Sequence, residues 1–340
     1  TMNFSSDTAA PAHPLILEAM VAAAKGPASS YGGDPWTKAA RDALCETFET
    51  DLDIWLVSSG TAANALGLSI LCPPHGAIAC HEEAHIERDE RGAPEFFTGG
   101  GRLSLLPGAH ARIDVAALKR RLAANDPDFV HETPLHVLSL SNLTESGAAY
   151  RPFEIKERAG LAHEAGLAVH LDGARLANAL VSTGATPAEM TWRAGVNVLS
   201  FGATKNGGAG CEAIILFGAA RQRLQELKVR AKLAGHMPPK MRFLGAQMSA
   251  YLKDGLWLEL ARRANTSAAS LASALTKAGI ELAHPVDGNE VFATLPLGAA
   301  ARLSAAGAAF HPWPDGSHRF VCSWATAPSE IAALAAHLDG

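Results

Sequence analysis

The chain has 340 residues, 48% of them hydrophobic, and a formal net charge of −5. That is enough apolar material to bury a large core and divide it between more than one domain. The acidic balance argues against a nucleic-acid binder, which carries a basic patch, and no stretch reaches the roughly 18 uncharged apolar residues of a membrane span.

The opening residues, through Pro14, are polar and small and are not expected to form a signal peptide. Cys45, Cys72, Cys80, Cys211 and Cys322 are odd in number and lack C-x-x-C spacing. They are expected to be reduced thiols of a cytoplasmic protein.

Taken in order, residues 1–35 are loop-rich, with a short helix from Pro14 to Ala24 and a turn at Tyr31-Gly32-Gly33-Asp34-Pro35. Thr37 to Glu49 is a predicted helix whose Ala40, Leu44 and Phe48 make an apolar stripe. Ile54 to Val57 reads as a buried strand. It runs into Ser58-Ser59-Gly60-Thr61, and a helix continues to Leu71. Such a start either offers free backbone N–H groups to a phosphate or is an ordinary capped helix. Strands are expected at 77–80 and 103–106, then a helix at 115–124 capped by Asp114. A strand at 137–140 ends in Ser141-Asn142, and Pro152 to Ala165 is helical.

Two further apolar strands, 167–171 and 196–201, each deliver charge at the C-terminal end, Asp172 with Arg175 from one and Lys205 from the other. Ala213 to Phe217 is a further strand, followed by helices at 221–234 and 240–252. From Leu256 a long alanine-rich helix reaches Ala278, followed by strands at 290–295, 310–313 and 319–324 and helices at 298–306 and 328–338. This order predicts an α/β protein. Residues 1–250 form a large domain with a mostly parallel sheet, and 251–340 a smaller α+β domain.

In open α/β sheets ligands sit beyond the carboxyl ends of strands. Asp172, Arg175 and Lys205 gathered there suit pyridoxal 5′-phosphate, which takes a lysine as Schiff base and an acid at its pyridine nitrogen. An Asp172–Lys205 ion pair with a surface Arg175 is the plainer alternative. His81-Glu82-Glu83-Ala84-His85 matches the H-E-x-x-H zinc signature, but it directly follows a strand and lacks an extension with a third ligand. His85 lying flat on a cofactor ring is the other use of that residue. His131 and His136 flank a strand and read first as structural. Arg319 is a strand end or the clamp for a substrate carboxylate.

Together these pieces resemble the threonine aldolase family, enzymes of the aspartate-aminotransferase fold (fold type I). The likeness rests on Ser5-Ser6-Asp7-Thr8, Tyr31-Gly32-Gly33-Asp34-Pro35, Ser59-Gly60-Thr61-Ala62-Ala63-Asn64, His85, His170-Leu171-Asp172-Gly173-Ala174-Arg175, the Lys205 loop, and Arg319 before a Ser-Trp. The loop S-F-G-A-T-K-N-G is similar to that of the low-specificity L-threonine aldolase and phenylserine aldolase branch. The resemblance implies cleavage of β-hydroxy-α-amino acids to glycine and an aldehyde. Lys205 would carry the cofactor, Asp172 pair with its ring nitrogen, and Arg175 lie near its phenolic oxygen. Ser59, Gly60 and Thr61 would hold the phosphate, and His85 would stack on the ring. Ser6, Tyr31 and Arg319 would bind substrate, with His131 near its β-hydroxyl. Residues 228–242 would form a loop reaching a neighbouring subunit in a dimer or tetramer. A β-eliminating lyase or aminotransferase of the same fold, or a zinc hydrolase, is the alternative.

Overall fold

The computed structural model describes residues 2–338. A seven-stranded sheet forms its centre, in the order Asp53–Val57, Glu212–Leu216, Val198–Gly202, Ala168–Gly173, Leu135–Ser141, Ala77–His81, Arg102–Leu106. Only Glu212–Leu216 runs against the others, pairing antiparallel with both its neighbours. The inner strands are mostly apolar because helices cover both faces of the sheet, and their polar residues, such as His170 and Asp172, gather toward the site. Val198–Gly202 and Glu212–Leu216 are buried at every position.

Helix starts follow the caps. Asp34 accepts from the Thr37 backbone N–H and opens Pro35–Phe48, two residues before the expected start; Ser59 opens Gly60–Ser69 and Asp114 opens Val115–Ala123. Proline at the first helical position needs no donor there, which explains the earlier start at Pro35. The helix expected at 221–234 begins as a 3-10 segment, Gly218–Arg223, and is α-helical only over Leu224–Leu233.

After Arg242–Leu252, the long helix Leu256–Lys277 turns its buried stripe of Leu260, Ala264, Ala268, Leu271 and Leu275 inward. Beyond it lies a four-stranded antiparallel sheet, ordered His311–Pro312, His318–Val321, Glu290–Thr294, Glu281–Leu282. The strand expected at 310–313 is shorter, because only His311–Pro312 pair before the chain turns at 314–317, and the other edge strand, Glu281–Leu282, was not expected. The expected α/β architecture, a mostly parallel sheet followed by an antiparallel α+β unit, is what the chain adopts.

Two contacts were not legible in the sequence. Met2–Asn3 pairs in parallel with Ala308–Ala309, and Phe4 packs on Phe320 at 6.3 Å between ring centroids. The first residues of the chain are thereby fastened to its last hundred. This draws Ser6 and Asp7 to the carboxyl edge of the large sheet. No helix among the described residues is long and apolar enough to cross a membrane.

Candidate active site

Ala168–Gly173 and Val198–Gly202 are parallel neighbours with Asp172 opposite Ser200, so their two C-terminal charges reach the same sheet edge. Behind that edge His170 is fully buried between the Ser139 and Ser200 hydroxyls, at 2.9 and 3.0 Å. Burial, opposed by the charge of Asp172, lowers its pKa to about 4, so the ring is a neutral spacer. Asp172 accepts from the Asn64 side chain at 2.7 Å and from the Ala174 N–H at 3.0 Å. Burial works against its charge, yet His85 and Lys205 with these two hydrogen bonds hold the carboxyl below its usual range. Asp172 is therefore an anion that can keep a ring N–H protonated.

Lys205 sits in the 3-10 turn Thr204–Asn206. Asn206 anchors the turn by donating to Tyr251 Oη and the Trp257 carbonyl, each at 2.8 Å. Gly207 follows at φ 103°, where a side chain would also strike Leu260 at 2.8 Å. A packed loop thus aims the lysine. Opposite it, Ser58, Ser59, Gly60 and Thr61 line the same cavity of about 230 Å³. A Cβ on Gly60 would meet no atom within 4 Å, so the backbone here faces open space. These are the free N–H groups of a ten-residue helix, a ready anion site.

His85 begins the short helix His85–Arg88. Its N–H donates to Glu145 Oε1 at 2.7 Å, and its Nδ1 lies 2.8 Å from Glu90 Oε1. Burial disfavours the charged ring, but the Glu90 hydrogen bond and the charge of Asp172 outweigh it and raise the pKa. Arg175 is gripped by Asp7 through both oxygens, at 2.7 and 3.0 Å, and lies 3.5 Å from Glu290. Asp7 is an anion because Arg175 and Lys205 overcome its complete burial. A second chamber adjoins the first, lined by Ser6, Arg319, Trp313, Glu290 and again Arg175 and Lys205. Arg319 lies over the Trp313 ring at 4.8 Å and 3.9 Å from Glu290, leaving its guanidinium able to receive a carboxylate.

Nine of the eleven expected site residues therefore line the two chambers: Ser6, Ser59, Gly60, Thr61, His85, Asp172, Arg175, Lys205 and Arg319. Tyr31 does not. It lies in an exposed groove with Lys228, Val229 and Met237, with Lys232 Nζ 5.1 Å from its ring centre. His131 is not brought in either. It is exposed, its ring 5.3 Å from Phe129, in the loop before Leu135–Ser141. The site is at the far end of that seven-residue strand, which rises about 3.3 Å per residue. The zinc alternative fails on geometry. His81 ends a strand with Nε2 3.0 Å from the Gly108 carbonyl and Nδ1 accepting from the Glu83 N–H, so it shares no helix face with His85. The cluster of His85, Glu90 and Asp172, within 4.8 Å of one another, is instead tied together through Asn64.

Sequence reasoning passed over Glu90, Glu145, Glu212 and Glu290. Asn64 and Asp7 stood in quoted motifs with no role attached. Arg175 as its bidentate partner was readable only from the fold. Pyridoxal phosphate suits this donor set: an amine, a buried carboxylate that stays charged, and an uncovered helix start left open at Gly60.

The beta-eliminating lyase family model matches residues 3–296. The chain is 39% identical to the low specificity L-threonine aldolase of Pseudomonas sp. (strain NCIMB 10558), over 99% of this chain and 97% of that one. The solved threonine aldolase of Leishmania major superposes with a TM-score of 0.92 at 30% identity, covering 99% and 98% of the two chains. The aspartate aminotransferase of Thermus thermophilus shares the fold, with a TM-score of 0.73 at 17% identity over 99% of this chain and 91% of that one. A match that runs through the whole large sheet and the lysine loop settles descent: this chain belongs to the beta-eliminating lyase family, with low-specificity L-threonine aldolases as full-length relatives.

Proposed function

We propose that the chain is a pyridoxal-phosphate-dependent aldolase that cleaves β-hydroxy-α-amino acids to glycine and an aldehyde. L-threonine and L-allo-threonine are its substrates, and phenylserine is a further one. One observation carries the reading: Lys205 and the charged, buried Asp172 line one cavity with the open helix start at Ser59–Thr61.

In this reading Ser59, Gly60 and Thr61 hold the phosphate, Asp172 the ring nitrogen, and Lys205 the aldehyde carbon, while His85 covers the ring. When bound, pyridoxal phosphate supplies a sink for the electron pair left on Cα. The chain contributes orientation. Arg319 and Ser6 fix the substrate carboxylate in the second chamber, which points the Cα–Cβ bond at the first. Asp172 keeps the ring nitrogen protonated because its own proton affinity is depressed. Asp7 neutralises Arg175 and keeps that cation beside the cavity without drawing it into solvent.

A division near residue 250 into two units is part of this reading; the two largest apolar clusters hand over a little later, within the long helix between Ala261 and Ala268, with Met2 and Phe4 packed in the smaller unit's cluster. We further propose a homo-oligomer, dimer or tetramer, with sites at subunit interfaces. The exposed Tyr31, Val229 and Leu233 beside Lys228 and Lys232 support a partner there. Five free cysteines, four of them buried, support a cytoplasmic location.

The test is the purified protein with L-threonine. Glycine and acetaldehyde in equal amounts, and neither from Lys205→Ala, is the expected result. Formation of a keto acid in place of glycine would refute the aldolase reading and point to elimination or transamination.

A further inference from the structure

The two chambers share Thr8, His85, Glu145, Arg175 and Lys205. A substrate anchored by Arg319 in one chamber and joined to the cofactor in the other has its reacting carbons among these groups. Glu145 is the only carboxyl group among the described residues that lines both. Asp89 and Glu290 face only the second chamber, Glu212 only the first.

Its two oxygens are treated differently. Oε1 accepts from the His85 N–H at 2.7 Å and from Ser141 Oγ at 2.9 Å, which fixes the side chain. Oε2 is shut off from solvent and has no hydrogen-bond partner among the described residues. A buried carboxylate oxygen left in that state is costly. A proton carried on that oxygen would relieve the cost.

Resting on the aldolase reading above, we infer that Glu145, the carboxyl group lining both chambers, is the catalytic group that takes the proton of the substrate β-hydroxyl. As the O–H bond breaks, its electron pair becomes the second C–O bond of the leaving aldehyde. The Cα–Cβ pair stays with Cα, which then gains a proton to give glycine. One proton leaves the hydroxyl and one joins Cα, so no co-reactant is needed.

The other shared groups suit the task less. His85 has Nδ1 engaged by Glu90 and a raised pKa, so the ring tends to hold a proton already. Lys205 is committed to the cofactor, and Arg175 is a permanent cation on Asp7. Around Glu145 the charged and titratable neighbours are His85, Glu90 and Asp89, then Asp172 and Arg175, then Lys205 and Glu212, and from the smaller unit Glu290 and Arg319. Burial, then the charge of Asp172, outweigh the two hydrogen bonds and push its carboxyl up to about 7, where an acid–base group is most effective.

Glu145→Gln keeps the Oε1 acceptor and the shape, and circular dichroism checks that it folds. Infrared difference titration of the purified full chain should show carboxyl absorption disappearing near pH 7 from Glu145 and Glu212 together, and the variant should lose the Glu145 share and keep that of Glu212. Threonine cleavage by the loaded variant should fall about a hundredfold or more. Solvent exchange of the glycine α-proton, which involves no β-hydroxyl, should stay within about fivefold of wild type. Cleavage within about threefold of wild type would overturn the inference, as would cleavage and exchange falling together. A wild type that exchanges glycine but releases no aldehyde from any β-hydroxy-α-amino acid would overturn the aldolase reading itself.

Discussion

Asp7→Ala should be among the most damaging single substitutions in this chain, although residue 7 lies near its end. Asp7 is 1% exposed and accepts three hydrogen bonds, two from Arg175 and one from Asn289 at 2.9 Å. Its removal leaves the Arg175 guanidinium, 13% exposed, with Glu290 at 3.5 Å as its remaining anion. Breaking a buried pair from one side costs about 3–5 kcal/mol. Glu290 offsets part of that, so about 3 kcal/mol is expected. Asn289 loses one acceptor but keeps the Cys322 carbonyl at 2.8 Å, so its share is small. The assay is urea unfolding followed by tryptophan fluorescence, at several pH values. The Asp7 carboxyl is held below its ordinary value, so its contribution is fully present above the unfolded pKa of about 3.9 and fades only as pH falls through the lower folded value. The gap between wild type and variant should therefore be flat from pH 8 to 5 and close only in acid. Adding Arg175→Met to Asp7→Ala removes the stranded charge and should recover most of the loss. A loss below about 1 kcal/mol, or a double variant no more stable than the single one, would refute the reasoning.

Two glycines separate folding from cofactor capture. Gly202→Ala places a Cβ 2.7 Å from the Ala174 carbonyl oxygen, backbone against backbone, and should cost about 1–3 kcal/mol in thermal unfolding. Gly60→Ala meets no atom within 4 Å, so unfolding of the cofactor-free protein should be unchanged while cofactor affinity, read from its visible absorption, drops. Asp172→Ala should lower turnover by orders of magnitude with the fold retained, checked by circular dichroism and aldehyde release. If Tyr31 serves a neighbouring site, inactive Lys205→Ala and impaired Tyr31→Ala subunits should regain turnover when refolded together, and no recovery would count against that interface.

Much of the site was legible because short-range chemistry marks it. Apolar strands ending in Asp172 and Lys205, and a Ser-Gly-Thr helix start, need no tertiary knowledge to be noticed. Asp34, Ser59 and Asp114 announce their helices by the same local logic. The acids that surround the site are different. Glu90 and Glu145 lie in polar turns, and Glu290 opens an ordinary-looking strand. Each looks like a solvated surface charge until the sheet order brings it inward. His131 entered through the resemblance alone; in this fold it is exposed in the loop before Leu135–Ser141, at the end of that strand away from the cavity. The two-residue strand Met2–Asn3 carries no pattern at all. Its partner is 306 positions away, and that pairing, with Phe4 on Phe320 and Asp7 on Arg175, holds Ser6 and Asp7 at the cavity.

That pairing also dictates an order of assembly during synthesis. The large sheet is complete once Leu216 has emerged, because its last strand is the one that joins the edge strand to the interior. Chains fold from the N-terminus as they are made, yet here the first residues must wait for the last. Met2–Asn3 has no partner until Ala308–Ala309 leaves the ribosome, and Arg319 follows later still. Until then Asp7 has no strand to hold it against Arg175, and the carboxylate clamp does not exist. A chain interrupted before Ala308 therefore carries Gly60 and Lys205 but has neither the strand that seats Asp7 nor Arg319.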